Sequence, residues 1–96
     1  MPDVVLASAL ARWLGPLPAA AREPRIRVDG GDLRTVLDNL FRQYPHLRGY
    51  VLDEQGRVRH HVAIFVDGAT LRDKSDLSQA LAPQSEIYLL QALSGG

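Results

Sequence analysis

The 96-residue chain contains no cysteine. That absence excludes disulfides, thiolate metal sites and any cysteine nucleophile. Charge of one sign is lacking too, because eleven Lys and Arg balance eleven Asp and Glu. A protein that binds nucleic acid through phosphate contacts carries a basic surplus, so no nucleic-acid partner is expected. No apolar run is long enough to cross a bilayer, so no membrane partner is expected either. The opening MPDVVLASALARWLGPLPAAAREP is apolar, but Asp3 stands where a secretory signal needs a basic start, and Arg12 interrupts the run. The expectation is a cytoplasmic protein. Aromatic residues are scarce at 6%, with Trp13 the one tryptophan, expected in or near the core.

A catalytic constellation is also missing. His60 and His61 are adjacent, and neighbours on a strand point to opposite faces, so with His46 they make no chelate and no metal is expected. Asp53-Glu54 falls in a turn with no companion base, and 72–76 (RDKSD) reads as a solvated loop. Arg22, Arg25 and Arg27 have too few aromatics nearby to stack single strands. Asp29-Gly30-Gly31 is a turn and not a phosphate-cradling loop. The chain is expected not to be an enzyme.

What is present is a pattern of elements. Ordinary globular composition and this length predict one domain spanning 1–96. Residues 4–10 (VVLASAL) read as a buried strand, and the two prolines of 15–20 (GPLPAA) as a loop. In 24–31 (PRIRVDGG), Ile26 and Val28 alternate with Arg25 and Arg27, which predicts a half-exposed strand closed by a turn. Leu33, Val36, Leu37, Leu40, Phe41 and Tyr44 recur at spacings of three and four, so 33–44 is a helix with one apolar stripe. Asp32 is placed to cap it and Pro45 to stop it. Residues 46–59 read as polar and turn-rich, with Gln55-Gly56 turning between short extended pieces. His61 to Val66 is dense in strand formers, Asp67-Gly68 supplies a two-residue hairpin, and the chain returns through 69–72. A short helix is possible around 76–81, and 85–93 (SEIYLLQAL) closes the series as a strand. Strand, strand, helix, strands is an α+β layout: a mixed sheet packed on one main helix, with the first and last strands side by side at its centre.

That order resembles the ubiquitin-like β-grasp proteins, and more narrowly the MoaD/ThiS family of sulfur carriers. The likeness rests on VAIFVDG (62–68), SEIYLL (85–90), LRTVLDNLFRQYP (33–45) and the closing LSGG (93–96), so it covers nearly the whole chain from Val4. Asp67 stands where the family usually has asparagine, 82–86 (APQSE) replaces the usual loop, and Gln91-Ala92 stands where prolines are common. The stretch 46–61 resembles the longer carriers, including those serving cysteine biosynthesis. The resemblance implies that Gly96 carries the chemistry. Its carboxylate would be adenylated by a ubiquitin-activating-like adenylyltransferase using ATP, and a sulfur donor would then convert it to a thiocarboxylate for an acceptor synthase. The protein itself binds no cofactor in this reading; it is a cosubstrate, or the non-catalytic small subunit of a synthase. Molybdopterin, cysteine, thiamine and tRNA thiolation all remain open as destinations.

Glycine suits such a step, because without Cβ the tail can thread a narrow channel and leave its carbonyl open to attack. Leu93, Ser94 and Gly95 would be recognised as part of a flexible tail, 93–96. If Val62, Ile64 and Val66 face the helix, Ala63 and Phe65 face outward beside Tyr88 and Leu90, an apolar patch on which an activating enzyme can dock. The competing expectation is that the 46–59 segment covers Phe65 and Tyr88. Two other functions stay open: a modifier joined to lysines through Gly96, and a β-grasp interaction module in which Gly-Gly is only a tail.

Overall fold

The computed structural model describes residues 1–7, 24–71 and 73–91. Several expectations lie outside them: strand continuation over 8–10, the 15–20 loop, Trp13, Arg22, Arg72 and the tail residues Leu93, Ser94, Gly95 and Gly96. Within the described residues, β1 (Asp3–Leu6), β2 (Arg25–Arg27), β3 (Val62–Val66), β4 (Ala69–Thr70) and β5 (Glu86–Gln91) form one mixed sheet in the order β2-β1-β5-β3-β4. β1 and β5 run parallel, with Val4 opposite Ile87, while β3 lies antiparallel on the other side of β5, Ile64 opposite Leu89. The first and last strands are therefore neighbours, as expected, and β5 occupies the middle of the sheet. This is an α+β, ubiquitin-like β-grasp arrangement.

Helix α1 (Leu33–Gln43) packs on one face of the sheet. Its stripe of Leu33, Val36, Leu37, Leu40 and Phe41 is buried against Val4, Leu6, Val62, Ile64, Val66, Ile87 and Leu89. Each such aliphatic side chain contributes about 1.5–3 kcal/mol on leaving water, opposed by the conformational entropy lost on folding. The Asp32 carboxylate accepts the Thr35 N–H at 2.8 Å and caps the helix. Two further amides of the first turn are satisfied from outside, Leu33 N–H by the Gln79 carbonyl and Arg34 N–H by that of Leu77.

That second contact explains a departure from expectation. Residues 76–81 are not helical. Asp73 accepts from the N–H and hydroxyl of Ser75, and Asp76 from those of Ser78, local turns that compete with a helix. The carbonyls of Leu77 and Gln79 serve α1 instead, and Leu77 is driven into the core at 1% exposure.

A second departure is α2 (Pro45–Val51), where an irregular polar stretch was expected. Tyr44 does end α1, but Pro45 then takes the first position of a new helix, where its missing N–H is no loss and its fixed φ fits. Leu47 and Val51, four residues apart, both bury. The turn at Gln55-Gly56 is present, closed by Asp53 and Arg57 and flanked by a bridge between Leu52 and Val58.

Candidate functional site

One face of the sheet is covered by α1, and along β3 and β5 the side chains of the other face are only partly buried. Alternation along β3 buries Val62, Ile64 and Val66 and leaves Ala63 and Phe65 half-buried on the opposite side. β5 does the same, burying Ile87 and Leu89 and turning Tyr88 and Leu90 outward. Register brings these residues together, since Phe65 lies directly opposite Tyr88 and Ala63 opposite Leu90. Phe65, Tyr88 and Leu90, with Gly68 and Glu86, line a shallow concavity of about 320 Å³.

The 46–59 segment does not line this concavity. Its apolar residues Leu47, Val51, Leu52 and Val58 join the core cluster with α1, behind the sheet. A larger hollow of about 580 Å³ is lined by Asp53, Arg57, Arg59, Lys74 and other mostly polar residues. Apart from Val58 and the His60 and His61 rings, its lining is charged or hydroxyl-bearing, unlike the Phe65–Tyr88–Leu90 strip.

Charge borders the apolar strip on one flank. Arg25 Nη1 donates to Glu86 at 2.8 Å and to Asp3 at 3.3 Å, and Arg27 Nε lies 3.6 Å from Asp3. These arginines thus serve a surface ion-pair network on β1, β2 and β5. Such exposed pairs add little stability but fix the polarity of a rim. Asp53 likewise has a structural task, accepting the N–H groups of Gln55 and Arg57 inside its own turn. Among the described residues, no group of three or more His, Cys, Asp or Glu side chains is placed to hold a metal; His60 and His61 stack edge to face with ring centres 5.6 Å apart.

One contact at the strip's edge escaped sequence reasoning. Asp67 and Gly68 both take positive φ, 50° and 86°, as a tight hairpin with right-handed strands demands. The Asp67 carboxylate then reaches across to the start of β5, accepting the Glu86 N–H at 2.8 Å and the Ser85 hydroxyl at 3.0 Å. Ser85, 3% exposed, in turn accepts the Ala82 N–H. The Asp-Gly pair signalled the turn, but nothing local signalled its bond to a residue eighteen positions away.

The residues proposed to carry the chemistry, Leu93, Ser94, Gly95 and Gly96, lie outside the described residues. In sequence they follow β5, the strand that bears Tyr88 and Leu90.

No protein-family model matches the chain, and no curated protein sequence matches it. Solved structures do. SAMP1 from Haloferax volcanii is 27% identical with a TM-score of 0.73, covering 99% of this chain and 98% of that one. CysO from Mycobacterium tuberculosis is 20% identical with a TM-score of 0.78, over 97% of this chain and 100% of that one. A chain of the Amycolatopsis orientalis BexX/CysO complex matches over 100% of both chains at 14% identity and a TM-score of 0.79. SAMP1 is a small archaeal modifier protein by name. In fold, and over nearly its whole length, the chain is similar to ubiquitin-like sulfur carriers of the MoaD/ThiS type.

Proposed function

We propose that this protein is a sulfur carrier whose reactive group is the Gly96 carboxylate. A carboxylate is a poor electrophile at neutral pH, so it must first attack the α-phosphate of ATP, releasing pyrophosphate and giving an acyl-adenylate. Sulfur at the sulfide level, delivered by the donor as hydrosulfide, then attacks the acyl carbon; the new C–S bond forms, the C–O bond to AMP breaks, and a thiocarboxylate remains. The activating enzyme supplies the nucleotide site; this chain supplies the tail and a surface to grip. In this reading the body is a single domain spanning 1–96, and Leu93, Ser94 and Gly95 are read as the tail enters the enzyme.

The observation that supports the reading best is the one-sided apolar strip of Phe65, Tyr88 and Leu90 on the strands next to the tail-bearing end of β5. That strip gives an activating enzyme and an acceptor synthase one shared docking face. The BexX/CysO complex shows that such a neighbour binds a partner protein. An alanine added after Gly96 tests the assignment. It is expected to leave the thermal melt unchanged and to abolish ATP-dependent loading; loading that survives the added alanine contradicts it.

A second reading is favoured by the SAMP1 likeness, since that protein is called a small archaeal modifier. There the same activated Gly96 is joined to lysines of other proteins. Covalent conjugates in a cell extract, lost with the added alanine, distinguish it from a carrier that only delivers sulfur.

A further inference from the structure

Lys74 is the one lysine among the 96 residues, the other ten basic side chains being arginines. Its ammonium is tied to the backbone. Nζ donates to the Arg59 carbonyl at 3.1 Å and to the His60 carbonyl at 2.9 Å, and the residue is half-buried. The backbone holds it from the other end, because the Lys74 carbonyl accepts the Val58 N–H at 2.9 Å. Side chain and main chain therefore pinch the strand approach at 58–60 between them.

We propose that Lys74 is a shielded amine, so that this chain acts only as the acyl donor when its tail is activated and never as the side-chain acceptor. The inference deepens the function proposed above and rests on it for its biological meaning. Acylation of a lysine needs the neutral amine, whose nitrogen lone pair attacks the acyl carbon. The new N–C bond forms, the C–O bond to the leaving group breaks, and a proton leaves the nitrogen. A nitrogen tied to two backbone carbonyls is held facing them, and it cannot be turned onto an acyl carbon until both hydrogen bonds break. Arginine, which stays protonated in proteins, is no substitute acceptor. A chain built on ten arginines and one tethered lysine thus cannot be extended into side-chain-linked polymers of itself.

Competitive labelling of the full chain with the N-hydroxysuccinimide ester of acetic acid tests this without any activating enzyme. The reference is Arg42→Lys, which places a second lysine on the exposed last turn of α1 and leaves Lys74 in the same molecule. Peptide mass spectrometry reads both rates. Acetylation of Lys74 is expected to be at least about tenfold slower than that of the lysine introduced at position 42, as the loss of two charge-assisted hydrogen bonds implies. In urea, where the fold is lost, the two rates should converge. Equal rates in the folded protein overturn the proposal, as does a slow Lys74 that stays slow in urea. Failure of the tail to load with sulfur would retire the carrier reading alone and leave these labelling rates untouched.

Discussion

Gly30 shows how much can hang on one missing methyl group. It adopts φ 151°, and a Cβ built there would sit 2.7 Å from Val36 Cγ2 and 2.8 Å from the Val36 backbone nitrogen. The backbone atom cannot swing aside as a side chain does. Gly30→Ala is therefore expected to destabilise the protein by about 1–3 kcal/mol, read as a lower urea midpoint at unchanged slope. Gly49 carries the opposite expectation. It lies within α2, and a Cβ there meets nothing within 4 Å. Gly49→Ala should raise stability by roughly 0.5–1 kcal/mol, the usual gain of alanine over glycine inside a helix. A Gly30→Ala midpoint that does not fall would show that the close approach of the 29–31 turn to α1 is wrong. The sequence marked Gly30 as part of a turn, but its contact with the helix depends on tertiary packing that no local pattern encodes.

At the scale of elements, β3 separates stability from recognition along five residues. Ile64 is 1% exposed and faces α1, so Ile64→Ala should cost about 2–5 kcal/mol. Phe65, next in sequence, faces the other way. Phe65→Ala should keep the fold, with most of its effect on binding to an activating enzyme, weakened by at least about tenfold if Phe65 is an anchor. Calorimetric titration against that enzyme, set beside urea melts of both variants, reads the two effects apart. A Phe65→Ala variant that binds like the parent removes the strip from the docking surface.

Two kinds of signal were legible in advance. The apolar residues of α1 repeat at spacings of three and four over its whole length, and β3 and β5 are short runs of strand formers bounded by turns. α2 was not legible because Pro45 ends one helix and begins the next, and a stop signal hides the start signal in the same residue. The segment 76–81 misled in the other direction. Its composition permits a helix, yet Asp73 and Asp76 turn the chain locally and its carbonyls complete the amino end of α1. The outward-facing strip could be read from alternation alone. That the 46–59 segment packs behind the sheet, and not over Phe65 and Tyr88, could not, because Leu47, Val51, Leu52 and Val58 fit either face by composition.

Over the whole molecule, four aspartates respond to acid together. Hydrogen bonds from the Thr35 hydroxyl and N–H hold Asp32 below the usual carboxylate range. The Arg57 N–H does this for Asp53, and the hydroxyls and N–H groups of Ser75 and Ser78 for Asp73 and Asp76. A carboxyl whose folded value is depressed favours the folded state above its unfolded value, near pH 4, and loses that contribution as pH falls through the folded value. Stability is therefore expected to be flat from pH 7 down to about 5 and to decline below about 4. Thermal melts at about pH 7, 5 and 3 check the sign: a melting temperature as high at the acid end as at neutrality would show that these caps and turns do not couple to folding. The same side chains hold together the two loop regions that support α1 and the 58–60 approach, so acid should loosen that end of the molecule before the β1–β5 pair.

All of this architecture has one proposed purpose, to present Gly96 to an enzyme that loads it. The measurement that tests it most directly is intact mass spectrometry of the protein ending at Gly96, incubated with ATP, a sulfur donor and the activating enzyme of its own cell. The account predicts a mass increase equal to one oxygen replaced by sulfur, localised to the peptide that contains Leu93-Ser94-Gly95-Gly96. An unchanged mass, with the same enzyme preparation loading another carrier in parallel, would contradict it.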